Sequence, residues 1–96
     1  MRRDDVVQIL TRNQQALRDL GVKSLSLFGS VARGDASEGS DVDFLVEFDR
    51  PTGFFGLIRL QHFLEDLLQR PVDLSTPGSL KPRLRDRVMT EAIRVA

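Results

Sequence analysis

The stretch from Asp41 to Phe48 constrains this chain more than any other part of it. Val42, Phe44, Val46 and Phe48 alternate with Asp41, Asp43, Leu45 and Glu47. A period of two is that of a half-buried strand, so one face belongs to a core while the other opens on two carboxylates. Asp is depleted in strands. A turn cap at Asp41 or simple solvation at Asp43 would account for either residue alone. Two of them at same-face spacing, directly after a loop rich in Gly and Ser, are better explained by a shared metal site. Their Cα atoms would lie roughly 6–7 Å apart. Mg²⁺ takes carboxylate oxygens and keeps positions for water and phosphate, and two such ions about 4 Å apart serve in-line phosphoryl displacement. Glu47, on the same face, reads as solvated.

The remaining elements supply a core for that strand. Val6, Val7, Leu10, Leu17 and Leu20 share a helical face, which predicts a helix from Asp4 to Leu20, with Asp4 as N-cap and Gly21 as its stop. Val22–Phe28 alternates as a strand and ends at Gly29. A short helical turn is expected from Val31, and residues 34–40 read as a loop. Thr52 can cap a well-buried helix over Gly53–Leu68, stopped by Pro71, in which Phe54, Leu57, Ile58, Leu60, Phe63, Leu64, Leu67 and Leu68 form a broad apolar face. Val72–Ser75 reads as a short strand with Asp73 pointing away from the core. Ser79 is a candidate cap for a C-terminal helix carrying Leu80, Leu84, Val88, Met89, Ala92 and Val95 on one face. The fold class expected is α/β (α+β): a small mixed sheet of about three strands flanked by about four helices. At 96 residues the chain has room for one core, which predicts a single domain over 1–96.

A second motif adds a phosphate cradle. Phe28, Gly29, Ser30, Val31, Ala32, Arg33 and Gly34 run from a strand into a turn and a helix start. Gly29 lets the backbone approach an anion without a Cβ in the way, Ser30 can donate from its hydroxyl, and Arg33 adds positive charge. The Walker-type Lys followed by Ser or Thr is absent. Asp73 could ligate a metal with Asp41 and Asp43, or take the acceptor's proton as a general base, and the two roles are compatible.

Gly29-Ser30-Val31-Ala32-Arg33-Gly34 followed by Ser40-Asp41-Val42-Asp43 resembles the signature of the nucleotidyltransferase superfamily related to DNA polymerase beta. The short length and the later Val72-Asp73-Leu74 resemble its minimal members, which are often paired with a HEPN-domain protein as antitoxin and toxin. The resemblance spans nearly the whole chain, so the chain is expected to be complete, with Pro82–Val95 as its closing helix. It implies a polymerase beta-like nucleotidyltransferase fold. It further implies that Gly29 and Ser30, joined by Arg33 and Ser40, bind a nucleoside triphosphate, with ATP as the substrate. Asp41 and Asp43 would hold two Mg²⁺ ions, and Asp73 would be the third catalytic carboxylate. The implied acceptor is a tyrosine of a partner HEPN toxin, whose adenylylation would silence it.

Other features narrow the alternatives. Fourteen Lys and Arg balance fourteen Asp and Glu, which disfavours nonspecific nucleic-acid binding. Without Cys and with a lone His62, neither a disulfide nor a His or thiolate zinc site can form. No apolar run is long enough to span a membrane and no signal peptide is visible, so a cytoplasmic protein is expected. The competing function is a non-catalytic binding module that silences its partner by complex formation. Arg83, Arg85, Arg87 and Arg94, or Phe54 and Phe55, would then furnish the contact, although a solvated helix face and core packing account for them as well. An RNA or small-molecule acceptor and a homo-oligomer both stay open.

Overall fold

A computed structural model of the chain describes residues 2–35 and 40–96. In order, the elements are α1 (Arg3–Arg12), α2 (Gln14–Asp19), β1 (Val22–Phe28), α3 (Gly29–Arg33), β2 (Val42–Phe48), α4 (Gly53–Leu68), β3 (Val72–Ser75), a 3-10 turn (Pro77–Ser79), α5 (Pro82–Glu91) and β4 (Ile93–Arg94). The strands form one mixed sheet in the order β3-β2-β1-β4, with β2 and β3 parallel and the other two pairings antiparallel. The mixed α/β class is as expected, with four strands rather than three. Of the loop predicted over 34–40, residues 36–39 lie outside the described residues.

The apolar sheet face carries Leu25 and Leu27 of β1 and Val42, Phe44 and Val46 of β2. It packs against Val6 and Leu10 of α1, Leu17 of α2 and Leu60, Leu64 and Leu68 of α4 in one buried cluster. The opposite face carries Ser24, Ser26, Asp43 and Glu47, none of them buried, together with Leu45, which is buried. The strand period therefore sorts the carboxylates to the side of the sheet away from the main core, as the alternation requires.

Several local expectations change. The helix predicted over 4–20 breaks at Asn13, whose side chain donates to the Ile9 carbonyl (2.7 Å) while its backbone N–H bonds Leu10 instead. Asn here takes the acceptor that a continuous helix reserves for its own main chain. The N-cap is Arg2, not Asp4, and Asp5 accepts from the Arg2 backbone N–H at 3.1 Å. Thr52 does hold the N-cap position of α4, yet its side chain makes no capping bond. This helix ends on Gln69 in the left-handed conformation (φ 56°), ahead of Pro71. Its apolar face is only partly covered: Leu60, Leu64 and Leu68 are buried, whereas Phe54 and Phe55 stand exposed and pack edge-on against each other. His62 is exposed.

The largest correction is at the C-terminus. Ser79 closes a 3-10 turn with Thr76 rather than capping a helix; α5 starts from Lys81, ends at Glu91 and has no buried residue. Beyond it the chain extends and pairs with β1: Ile93 lies opposite Leu27 and Arg94 opposite Ser26, and Val95 N–H donates to the Leu25 carbonyl at 2.8 Å. A helix continued to Val95 would leave that edge of β1 unpaired, and the main-chain bonds decide against it. Val95 reaches the core from the extended chain just beyond β4, not from a helix.

The burial pattern carries a stability prediction. Leu64→Ala removes a side chain with no exposed surface and should destabilise by about 3 kcal/mol in urea unfolding. Phe54→Ser, at 72% exposure, should change stability by less than about 0.5 kcal/mol. Comparable effects at the two positions would contradict the packing described.

Candidate active site

Register brings the sequence motifs together. In the parallel β2–β3 pair Asp43 stands opposite Asp73, and in the antiparallel β1–β2 pair Asp43 stands opposite Phe28. One row across the sheet thus runs Asp73, Asp43, Phe28, and the chain turns at Gly29 immediately beyond it. Asp41 precedes β2 by one residue and is exposed, as is Asp73, while Asp43 and Ser40 are half-buried.

Gly29 and Asp43 are in intimate contact. Gly29 adopts φ +75°, and a Cβ built on it would overlap the Asp43 carboxylate oxygen and lie 3.1 Å from Cγ and 3.3 Å from Cβ of that residue. No other residue type fits this turn against that side chain. From Gly29 the backbone enters α3 with no side-chain bond capping its first turn, and Val31 and Ala32 anchor the helix in the core. Arg33 follows at the helix end. Its Nε donates to Asp35 (3.3 Å) and its Nη1 to Glu91 (3.4 Å).

The electrostatics agree with the geometry. Asp43 is held above its ordinary value of 3.8, first by burial, then by the negative charges of Asp73 and Asp41, with Arg33 acting in the opposite direction. Three carboxylates and one guanidinium therefore share one field. Among the described residues no three acidic or His side chains close on a common point as a ready-made metal cage. The donors still suit Mg²⁺: they are hard carboxylate oxygens whose mutual repulsion a cation would relieve, and Mg²⁺ commonly takes only one or two protein carboxylates and completes its shell from water and phosphate.

An Asp at the mouth of β2 and a second inside it, a third Asp in register and a glycine turn pressed against the second form the kind of site that handles a nucleotide's phosphates. The model of the nucleotidyltransferase domain family matches residues 7–95, and the chain belongs to that family. Within it the chain has the minimal form: it superposes with a TM-score of 0.83 on a solved structure described as a putative minimal nucleotidyltransferase, at 36% identity, covering 97% of this chain and 95% of that one. It is 39% identical over 93 residues to the protein adenylyltransferase MntA of Thermococcus cleftensis, covering 96% of this chain and 94% of the relative. A further neighbour is a toxin–antitoxin crystal structure with AMP-PNP, at 25% identity and a TM-score of 0.73, covering 90% of this chain and 71% of that one.

Sequence reasoning missed Glu91. Its spacing from Arg87 announces only a pair at i and i+4 within a helix. Its second partner, Arg33, lies 58 residues earlier, and no local pattern reports a contact of that range. No described helix is long and apolar enough to cross a membrane.

Proposed function

We propose that this protein transfers AMP from ATP to a tyrosine hydroxyl of a HEPN-domain toxin and thereby acts as its antitoxin. The observation that carries the reading is the contact of Gly29 with Asp43, which joins a phosphate-approach turn to the middle of an acidic row. The protein-adenylyltransferase name of the Thermococcus relative and the nucleotide-bearing toxin–antitoxin neighbour support protein as the acceptor class.

In this reading Gly29 and the amides that follow it lie along the triphosphate, with Ser30 donating from its hydroxyl. Arg33 and Ser40 are further nucleotide contacts. The acceptor oxygen attacks the α-phosphorus in line, its bond to phosphorus forms as the bond to the β-phosphate bridging oxygen breaks, and pyrophosphate leaves. Asp73, exposed at the end of the acidic row, receives the hydroxyl proton. Asp41 and Asp43 are the residues that would hold Mg²⁺, with Asp73 beside them. Bound there, two such ions would lower the acceptor's pKa and neutralise charge on the phosphates. Most of the acceleration then comes from positioning and electrostatics.

Incubation with α-³²P-ATP, Mg²⁺ and the HEPN partner tests this directly, with the Asp41→Asn, Asp43→Asn double variant alongside. Label and a mass increase on a partner tyrosine, dependent on both carboxylates, are expected. A tight, silencing complex that forms equally with the double variant and carries no label would instead establish a binding module.

A further inference from the structure

Arg33 is an exposed residue on a five-residue helix, and such a side chain would ordinarily sample many rotamers. Here it is held from two directions. Nε is taken by Asp35 in its own turn and Nη1 by Glu91, leaving Nη2 without a hydrogen bond among the described residues. Glu91 is the better buried of the two carboxylates, with 28% of its side chain exposed against 61% for Asp35. Its other oxygen accepts from Arg87 Nε at 3.4 Å, so both oxygens are committed.

The backbone beside Glu91 is fixed relative to the phosphate turn. Ala92 N–H closes α5 on Val88 at 2.8 Å, and Ile93 and Arg94 then pair with Leu27 and Ser26 of β1, the strand that runs into Gly29. From the other side Arg3 Nη1 donates to the Ala32 carbonyl at 3.2 Å, bracing the helix that carries Arg33. Among the described residues the side-chain hydrogen bond that links α5 to α3 is the one between Arg33 and Glu91.

We infer that Glu91 is a positioning residue of the nucleotide site: it orients the Arg33 guanidinium so that the free Nη2 is presented to an anionic oxygen of the triphosphate. The inference rests on the nucleotidyl-transfer reading above. A guanidinium held in place before binding loses little conformational freedom when the anion arrives, so the gain appears in nucleotide affinity. It does not appear in the chemical step.

The test is a double-mutant cycle of Arg33→Ala and Glu91→Ala, with Glu91→Gln as the conservative variant and Asp86→Asn as a control on the same helix. Each protein is assayed for equilibrium binding of a fluorescent ATP analogue, for KM and kcat in transfer to the partner, and for Tm. Glu91→Ala should weaken nucleotide binding and raise the KM for ATP about fivefold with kcat within about twofold, Glu91→Gln should fall between it and wild type, and Asp86→Asn should change neither. In the Arg33→Ala background the Glu91 effect should vanish. Unchanged binding in Glu91→Ala, or an effect that multiplies fully with Arg33→Ala, overturns the inference while leaving the transferase reading intact. A wild-type protein that binds no nucleotide overturns both.

Discussion

Asp43→Asn is expected to abolish transfer, by a factor on the order of 10³ or more, and at the same time to raise the melting temperature at pH 7 in chelator-treated buffer. The first effect follows from the central place of Asp43 in the acidic row. The second follows from proton linkage. The Asp43 carboxyl is held above 3.8 by burial and by Asp73 and Asp41, so the folded chain binds that proton more tightly than the unfolded chain does. Stability is therefore lost as pH rises from the ordinary carboxylate range through the raised value. The Asn variant has no such proton to lose. Its Tm advantage over wild type should be near zero below about pH 3.5, grow as pH rises and then level off. Mg²⁺ should raise the Tm of the wild type more than that of the variant. Thermal melts from pH 3 to 8, with and without Mg²⁺, check both signs. A variant that melts below wild type at pH 7 without metal would show that Asp43 is a structural carboxylate rather than a strained functional one.

Gly29→Ala is the second change with a large expected effect, and it acts through two separable causes. An L side chain at φ +75° is strained. In addition, the new Cβ meets Asp43 along its length, back to Cγ at 3.1 Å and Cβ at 3.3 Å, so rotating the carboxylate tip does not clear it. A destabilisation of roughly 2–4 kcal/mol is expected, together with loss of transfer well beyond what the lower stability explains at 20 °C, because Asp43 is displaced. The two causes divide in an Asp43→Ala background. There the contacts with the carboxylate oxygen and Cγ disappear, only Cβ at 3.3 Å stays, and the backbone strain persists, so the cost of Gly29→Ala in urea unfolding should fall by about half. A full, undiminished cost in that background would mean that backbone strain alone governs the position and that the contact with Asp43 contributes nothing.

The candidate site residues Gly29, Asp41 and Asp43 could be picked out of the sequence because each is announced locally. Asp41 and Asp43 stand out as carboxylates in a strand that otherwise alternates cleanly, and Gly29 stands where a strand must turn. Asp73 was picked out as a carboxylate on a short strand pointing away from the core, and as the third carboxylate that the family resemblance implies. Its membership of the row depends on β3 pairing with β2 in parallel, residue 73 against residue 43, and strand register is set by long-range packing rather than by the four residues themselves. Asn13 shows the converse: a signal was present, but periodicity read across it, since an apolar stripe continues through a break that one side-chain hydrogen bond is enough to make.

The C-terminus divides the two sources of information most clearly. By itself the sequence determined which faces are apolar, where the chain turns, and which residue types are suited to phosphate and cation, because these follow from side-chain chemistry at spacings of two to four residues. Only the tertiary structure decided that α5 stops at Glu91, that the last residues form β4 along β1, and that Glu91 meets Arg33. Leu84, Val88 and Val95 satisfy a helical period, yet Leu84 is 45% exposed while Val95 is buried in the core. A residue's period describes its neighbours on its own element. The free main-chain edge of β1, which captures the C-terminal residues just after Glu91 meets Arg33, exists only once the sheet has formed.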